Sequence, residues 1–339
     1  MKIRFLILFL LLLSLESYGQ VGGETVYNFL NISTSARQTA LGGKVLTLVD
    51  DVNQPIWNPS VINPDLDKKL SVNYSSYLAG VNIGSISYSK LINRRFGNIH
   101  GSVKYLNYGS IIRADENGIE SGTFNAIDIA MSIGYARNLP WTYFYIGGNA
   151  KIIHSSIANF SSTGIAIDLA LLYNNPYKDF VLTLVARNIG TQLSSFNEDR
   201  EKLPFELAIG GSYKLEHVPL KWYFTMDNLQ QWNVAVANPS NQTTDLEGNV
   251  TKENIGFLDN MFRHFVVGAE LFPERSINLR VGYNFRRASE LKLQNVRTFG
   301  GISFGFGLKM NKIKINYAYS KVHTASNIST FSLQIDLNK

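Results

Sequence analysis

From Lys69 to the C-terminus the chain alternates apolar and polar residues in runs of about ten, the length of a tilted strand crossing a bilayer. Roughly fourteen such runs can be placed, near 69–77, 81–91, 97–107, 125–137, 142–155, 163–173, 180–188, 205–215, 219–228, 262–272, 276–285, 299–310, 312–322 and 329–338. The alternation is cleanest late in the chain. Ile277, Leu279, Val281, Tyr283 and Phe285 share one face, and Asn278, Arg280, Gly282 and Asn284 the other. Ile313, Ile315, Tyr317 and Tyr319 oppose Lys312, Lys314, Asn316 and Ser320, while Phe331, Leu333, Ile335 and Leu337 oppose Ser332, Gln334 and Asp336. An apolar outer set with a polar lumenal set predicts an all-β chain, a transmembrane antiparallel β-barrel of about 14 strands.

The links between runs alternate in length, as expected of tight periplasmic turns and longer outward loops. With both ends of the barrel sequence periplasmic, the even-numbered links are short: 92–96, 138–141, 174–179, 216–218, 273–275 and 311. The odd-numbered ones are long: 108–125, 156–162, 189–204, 229–261, 286–298 and 323–328, with 78–80 as the exception. Aromatics gather near strand ends, as Tyr74 with Tyr77, Trp141 with Tyr143 and Trp222 with Tyr223, which suits girdles at the two membrane interfaces.

The segment before the barrel has a different texture. Met1 to Arg4 is a short basic stretch, Phe5 to Leu15 is apolar, and Ser17-Tyr18-Gly19 ends in small residues, so residues 1–19 read as a signal peptide cleaved after Gly19. That apolar run is shorter than the about 20 residues a spanning helix needs. Residues 20–67 then read as a plug or periplasmic segment, and 68–339 as the barrel. Ser35-Ala36-Arg37-Gln38 has the pattern of a capping box, and Gly42-Gly43 can supply the left-handed stop of the short helix that follows. Asp51 to Pro64 is rich in turn residues, including Trp57-Asn58-Pro59-Ser60. A piece of this length cannot hold a core alone and should pack on or inside the barrel.

Composition supports this and removes other classes. Charged residues make up 17% of the chain, below the roughly 25% of soluble proteins, and aromatics 12%. The net charge of +6 is dispersed, without the basic runs of a nucleic-acid partner. With no Cys there are no disulfides, thiolate metal sites or cysteine nucleophiles. His100, His154, His217, His264 and His323 show no metal-ligand spacing and read as lumen or interface residues. Gly300-Gly301 through Gly307 lacks the Lys-Ser/Thr of a phosphate loop, so its glycines read as strand curvature or close packing. Asp50-Asp51 and the set Asp245, Glu247 and Asn249 read as solvated turns rather than cation sites. No catalytic residue, metal or cofactor is expected. The strongest binding candidate is the link 229–261, rimmed by Trp232, Phe257 and Phe262, because loops of that length are usually functional or disordered.

Tyr27-Asn28-Phe29-Leu30, then Ser33-Thr34-Ser35-Ala36-Arg37-Gln38-Thr39-Ala40-Leu41-Gly42-Gly43, then Trp57-Asn58-Pro59-Ser60, resemble the N-terminal signature of the PorV/PorQ family. These are outer-membrane barrels of the type IX secretion system in Bacteroidota, and Val21-Gly22-Gly23 is most like the PorQ branch. Leu203 to Gly211 and Val281 to Phe285 also look like family strands. Ser60 departs from the family-like Asn-Pro-Ala step. The resemblance implies a barrel similar to the long-chain fatty-acid transporter fold. It also implies a non-enzymatic role: anchoring a PorZ-like surface partner beside PorU-like and PorV-like components, where cargo is linked to lipopolysaccharide. The alternative is an outer-membrane channel for hydrophobic ligands such as long-chain fatty acids. The polar inward residues Asn278, Arg280, Lys312, Lys314, Gln334 and Asp336 disfavour a greasy conduit, although the upper lumen is open to either reading. A soluble secreted β-sandwich array would have to bury the same apolar faces elsewhere.

Overall fold

The computed structural model describes residues 25–77, 80–93, 95–140, 142–197, 199–236, 243–244, 250–251, 255–292, 299–323 and 326–338. The signal-peptide reading, Trp141 and the set Asp245, Glu247 and Asn249 lie outside the described residues. Fourteen antiparallel strands follow one another around a closed barrel. They are β1 (Lys69–Ser76), β2 (Asn82–Asn93), β3 (Gly97–Ala114), β4 (Glu120–Asn138), β5 (Phe144–Ile157), β6 (Phe160–Asn174) and β7 (Phe180–Ser194). The second half comprises β8 (Glu206–Lys214), β9 (Leu220–Met226), β10 (Phe265–Leu271), β11 (Ile277–Asn284), β12 (Ile302–Met310), β13 (Ile313–His323) and β14 (Ser326–Asp336). The seam closes where β1 pairs with β14, Lys69 opposite Asp336 and Ser76 opposite Ser329. Closure pairs the last strand with the first, so the sheet has no free edge strand, as a sheet standing in hydrocarbon requires.

The wall is inverted relative to a soluble protein. Val72, Tyr74, Ile86, Leu279, Val281 and Phe331 face outward and are exposed, while Ser71, Asn73, Ser85, Ser87, Asn278, Arg280 and Ser332 face inward and are buried. An exposed apolar belt of this extent needs lipid to cover it. Among the described residues no helix is long and apolar enough to cross a membrane.

Strand lengths correct part of the loop reading. β3 and β4 have 18 and 19 residues, and β9 and β10 have 7 each. The expected loop 108–125 is mostly strand, since β3 and β4 stay paired out to Ala114 opposite Glu120. The links 156–162 and 323–328 shrink for the same reason, the former to a turn at Ala158 with φ 53°. In these extensions the period-two alternation breaks down, as in Gly109-Ser110-Ile111-Ile112-Arg113, while backbone pairing continues. Three long connections remain at that end: 195–205, 227–264 and 285–301. The second carries a two-residue ribbon and the helix α2 (Phe257–Phe262), and the third the helix α3 (Phe285–Glu290). Phe262, expected to begin a strand, instead ends α2.

Residues Thr25–Asp67 run through the lumen from the long-loop end to the short-turn end. Thr25 bridges Lys202 in the 195–205 connection, and the Asp67 carboxylate accepts the Leu91 N–H at the other end, 2.6 Å away. Between them lie the helix α1 (Ala36–Ala40) and single 3-10 turns at Asn28–Asn31, Gln54–Ile56, Pro59–Val61 and Pro64–Leu66. The expected capping box does not form. Ser35 makes no side-chain cap bond, and the Ala36 N–H donates to the wall residue Ser332 at 2.8 Å. Gln38 reaches forward instead, donating to the Val45 carbonyl at 2.8 Å. A lumenal wall supplies caps that a free helix must find locally. Gly42 and Gly43 do take the left-handed conformation, at φ 98° and 91°.

The plug seats because wall glycines leave room for its backbone. A Cβ on Gly282 would overlap the Leu41–Gly42 peptide, and one on Gly147 would overlap the Pro59–Ser60 peptide. Gly147→Val is therefore expected to unseat the turn at Pro59. The cost should be about 1–3 kcal/mol or more, read as a lower unfolding midpoint of the detergent-solubilised barrel.

Candidate functional site

Two ionic clusters fasten the plug to one side of the lumen. Arg37 of α1 spans Asp50 and Glu270, at 2.7 Å each. Arg280 also binds Glu270 at 2.7 Å, and the Tyr223 hydroxyl donates to it at 2.9 Å. Glu270 is fully buried, so its charge is held by two guanidinium groups and a phenol rather than by water. The planar fork of Arg37 is what lets one side chain reach a plug carboxylate and a wall carboxylate together. In the second cluster Lys44 binds Glu206 and Asp227 at 2.5 and 2.7 Å, Arg286 binds Asp227 at 2.5 Å, and Arg187 binds Glu206 at 2.9 Å.

The other signature residues are structural as well. Asn58 donates to the Leu46 carbonyl at 2.7 Å and to Thr183 of β7 at 3.0 Å, and its own oxygen accepts the Ser60 N–H and hydroxyl. The Ser60 hydroxyl thus adds a hydrogen bond to the turn that Pro59 initiates. Asp50 pairs with Arg37, and Asp51 is buried and accepts the Asn53 N–H, so Asp51 is not the solvated turn residue the sequence suggested. Among the described residues no group of three His, Asp or Glu is placed to hold a metal. His100 contacts the Val52 carbonyl of the plug, and His264 lies under Trp232.

The half of the lumen nearer the long loops is chemically different. Val26, Tyr27, Phe29 and Leu30 of the plug pack against Ile83, Leu106, Ala130, Ile153 and Ala166, one residue from each of β2 to β6, and against Leu203. The inward faces of β11 to β14 carry the polar residues Asn278, Arg280, Asn316 and Ser332, and in this upper half, which the sequence left open to either reading, apolar residues line the lumen instead. Ile83, Leu106 and Ile153 are single apolar residues on otherwise polar inward faces, beside Ser85, Lys104 and Lys151 respectively. One isolated break per strand carries little weight in sequence, and only closure of the barrel gathers the breaks into a chamber.

Buried cations form the floor of this chamber. Lys104 donates to the carbonyls of Leu30 and Ile32, at 3.2 and 2.5 Å, and Arg187 donates to the same Leu30 carbonyl at 3.2 Å. Arg187 also lies over the Trp57 ring, 4.1 Å from its centroid, and Lys151 pairs with Asp168 at 2.7 Å. Lys104 is 4% exposed, and among the described residues no carboxylate comes within ion-pair distance of it. The cavity bounded by Leu30, Ile56, Ser102, Lys104, Lys151 and Arg187 measures about 10 Å³, enough for roughly one water.

The same stretch of plug also completes the wall. β8 begins at Glu206, opposite Arg187, so β7 continues from Asn188 to Ser194 without a strand on that side. The interval is filled by the 195–205 connection. Asn188 donates to the Pro204 carbonyl at 2.9 Å, the Gln192 side chain accepts the Glu201 N–H at 2.7 Å, and Val26 donates to Lys202 at 3.0 Å.

Of the predicted binding aromatics, two come together. Trp232 stacks between Phe257, at 5.0 Å, and His264, at 5.4 Å, and buried Asn260 pins its carbonyl at 2.5 Å. Phe262 stacks on Phe285 instead, at 5.7 Å. All three predicted residues are exposed at the long-loop end.

The fold and site define a transmembrane β-barrel of the outer-membrane kind, with its lumen closed by its own N-terminal segment. Its fold is that of solved FadL-type barrels. The toluene transporter TbuX of Ralstonia pickettii superposes with a TM-score of 0.54 and 11% identity, over 92% of this chain and 100% of that one. A FadL homologue of Pseudomonas aeruginosa gives 0.52 and 10%, over 90% and 99%. No protein-family model and no curated protein matches the chain.

Replacing Glu270 by Ala would leave Arg37 and Arg280 buried without their shared anion. The expected cost is about 3–5 kcal/mol, measured as a fall in the denaturation midpoint.

Proposed function

We propose that this barrel passes hydrophobic or amphiphilic molecules across the outer membrane, and that residues 25–32 act as the stopper. The observation that carries the proposal is the apolar cluster at the long-loop end, built from one residue of each of β2 to β6 with Leu203 and filled by Val26, Phe29 and Leu30 of the chain itself. A protein that needs only a closed wall has no use for an apolar chamber in a polar lumen, since polar residues would close it equally well. In the stoppered state the remaining cavity admits about one water, so a ligand must take the place of the stopper. Ligand binding then shifts the population toward the open state by its own preference for that state. The kinship of fold with a barrel described as a toluene transporter supports the same class of cargo.

A disulfide provides the test, because the chain has no Cys of its own. Thr25→Cys with Lys202→Cys joins two residues whose backbones are already paired by a β-bridge, the close approach that a disulfide needs. Cells carrying the oxidised pair should lose uptake of labelled toluene and fatty acid, and a reductant should restore it. Undiminished uptake through the oxidised protein would remove the reading.

A second reading is favoured by the exposed aromatic pair Trp232 and Phe257 on a pinned, partly helical loop. Exposed aromatics on a rigid support suit a protein partner. The resemblance to the PorV/PorQ family names the kind: a PorZ-like surface protein of a type IX secretion complex, with PorU-like and PorV-like components beside it. For this reading, Trp232→Ala combined with Phe257→Ala should abolish co-purification of the partner from outer membranes in mild detergent. Equal recovery from wild type and variant would count against it.

A further inference from the structure

The short-turn mouth of the lumen, at the opposite end from the stopper, carries an arrangement that closing the barrel does not require. Lys214 of β8 stands directly opposite Lys221 of β9, and Lys309 of β12 directly opposite Lys314 of β13. All four lie on the lumenal face, because their chain neighbours Tyr213, Trp222, Met310 and Ile313 are exposed on the outer one. Like charges directly opposite on one face of a sheet repel and weaken the pairing. Lys312, exposed in the turn between β12 and β13, adds to the same rim. Little acid offsets this set. Glu274 pairs with Lys214 at 2.5 Å from an exposed position, and Asp336 acts on Lys69 and Lys312. Among the described residues no carboxylate comes within ion-pair distance of Lys221, Lys309 or Lys314. The acid that acts on both Lys221 and Lys314 is Asp50 of the plug, and it is bonded to Arg37. Sharing one carboxylate sets the two lysine pairs around one space. The Asp50 side chain is 51% exposed there, so water reaches the space.

We propose that this mouth docks an acidic, extended segment of a periplasmic protein, whose carboxylates bridge the Lys214–Lys221 and Lys309–Lys314 pairs. Tight turns mark the periplasmic side in barrels of this kind, so the partner comes from that compartment. An anion between two opposed lysines turns their repulsion into attraction, which gives a use to two pairs that weaken the sheet by themselves. Spacing selects the shape of the ligand. β10 and β11 separate β9 from β12, so the pairs stand about 14 Å apart along the wall, at about 4.8 Å per strand. One carboxylate or one phosphate cannot touch both pairs, whereas an extended chain covers that distance in about four residues. Direction selects its source. The lysines point into the lumen and away from the bilayer, which favours a chain entering from the aqueous side over an anionic lipid headgroup. The site involves neither the stopper nor the Trp232–Phe257 pair, so it stands apart from both readings above.

The test uses fluorescein-labelled octaglutamate, with octaglutamine as the neutral control, on the full-length protein in a neutral detergent. Fluorescence anisotropy should show wild type binding octaglutamate and not octaglutamine, with affinity falling steeply as salt is raised. Lys309→Gln with Lys314→Gln should weaken binding about tenfold, and Lys214→Gln with Lys221→Gln should do the same independently. Lys90→Gln with Lys178→Gln removes exposed charges at the same end but outside the lumen, and should change affinity by no more than about twofold. No binding by wild type, or an equal loss in that control, overturns the proposal. Displacement of the peptide by phosphatidylglycerol in mixed micelles assigns the lysines to a lipid headgroup and overturns it too. Displacement by free glutamate at the same carboxylate concentration does so in favour of small anions. Because each double variant removes a repulsion, its denaturation midpoint should equal or exceed that of wild type. A lower midpoint in both would mark the lysines as structural and count against a docking site.

Discussion

A closed strand wall in lipid puts its polar side chains inward, and those side chains then need partners in a space that excludes most water. This constraint organises the rest of the molecule. Residues Thr25–Asp67 meet it by threading the lumen and pairing with the wall along its length, from the Tyr27 hydroxyl on Ser162 to the Asp67 carboxylate on the Leu91 amide. The strongest point is Glu270, where a single buried carboxylate ties Arg37 of the plug to Arg280 of the wall. Such a cluster contributes little net stability against an apolar equivalent, but breaking it is expensive. It therefore sets where the plug sits rather than how tightly the barrel folds.

The two halves of the plug are held by different forces. On the β9 to β13 side, and toward the short turns, the contacts are ionic and hydrogen-bonded, and wall glycines bring backbones together. Nearer the long loops, Val26 to Leu30 are held mainly by apolar contacts, with the Tyr27 hydroxyl on Ser162, one bridge to Lys202, and the Leu30 carbonyl offered to Lys104 and Arg187. Directional, charged anchoring defines one position, whereas apolar contacts are replaceable by any greasy surface of similar shape. The proposed stopper uses this division, with release at the long-loop end while α1 stays fixed. It also connects the site to the wall, because Val26 is part of what fills the interval beside β7.

The N-terminal motif takes on a physical meaning in this setting. Arg37 supplies the fork that bridges two carboxylates, Gly42 and Gly43 turn the chain in the left-handed region against Gly282, and Asn58 with Pro59 builds a turn seated on Gly147. Each is a requirement of packing a plug into a barrel of this fold. The motif thus accounts for closure, while the exposed loop with Trp232 and Phe257 is the part of the chain that faces outward and is free to serve a partner.

Sequence alone determined the wall. Alternation is a local property with period two, and it marks which face of each strand meets lipid without reference to any other strand. The helix stop at Gly42-Gly43 and the turns at Pro59 and Pro64 are local in the same sense, and they form as their residue types require. Only the tertiary structure decided the cap of α1, the height of β3 to β7 and the chamber. Ser35 loses its cap role because Ser332, distant in sequence, is nearer its helix end. Ile83, Leu106 and Ile153 become one surface only when five strands curve around the same space, and Lys104 is cut off from water, with the Leu30 and Ile32 carbonyls as its hydrogen-bond partners, only when that space is sealed. Burial and charge balance are properties of the closed barrel, and no window of the sequence contains them.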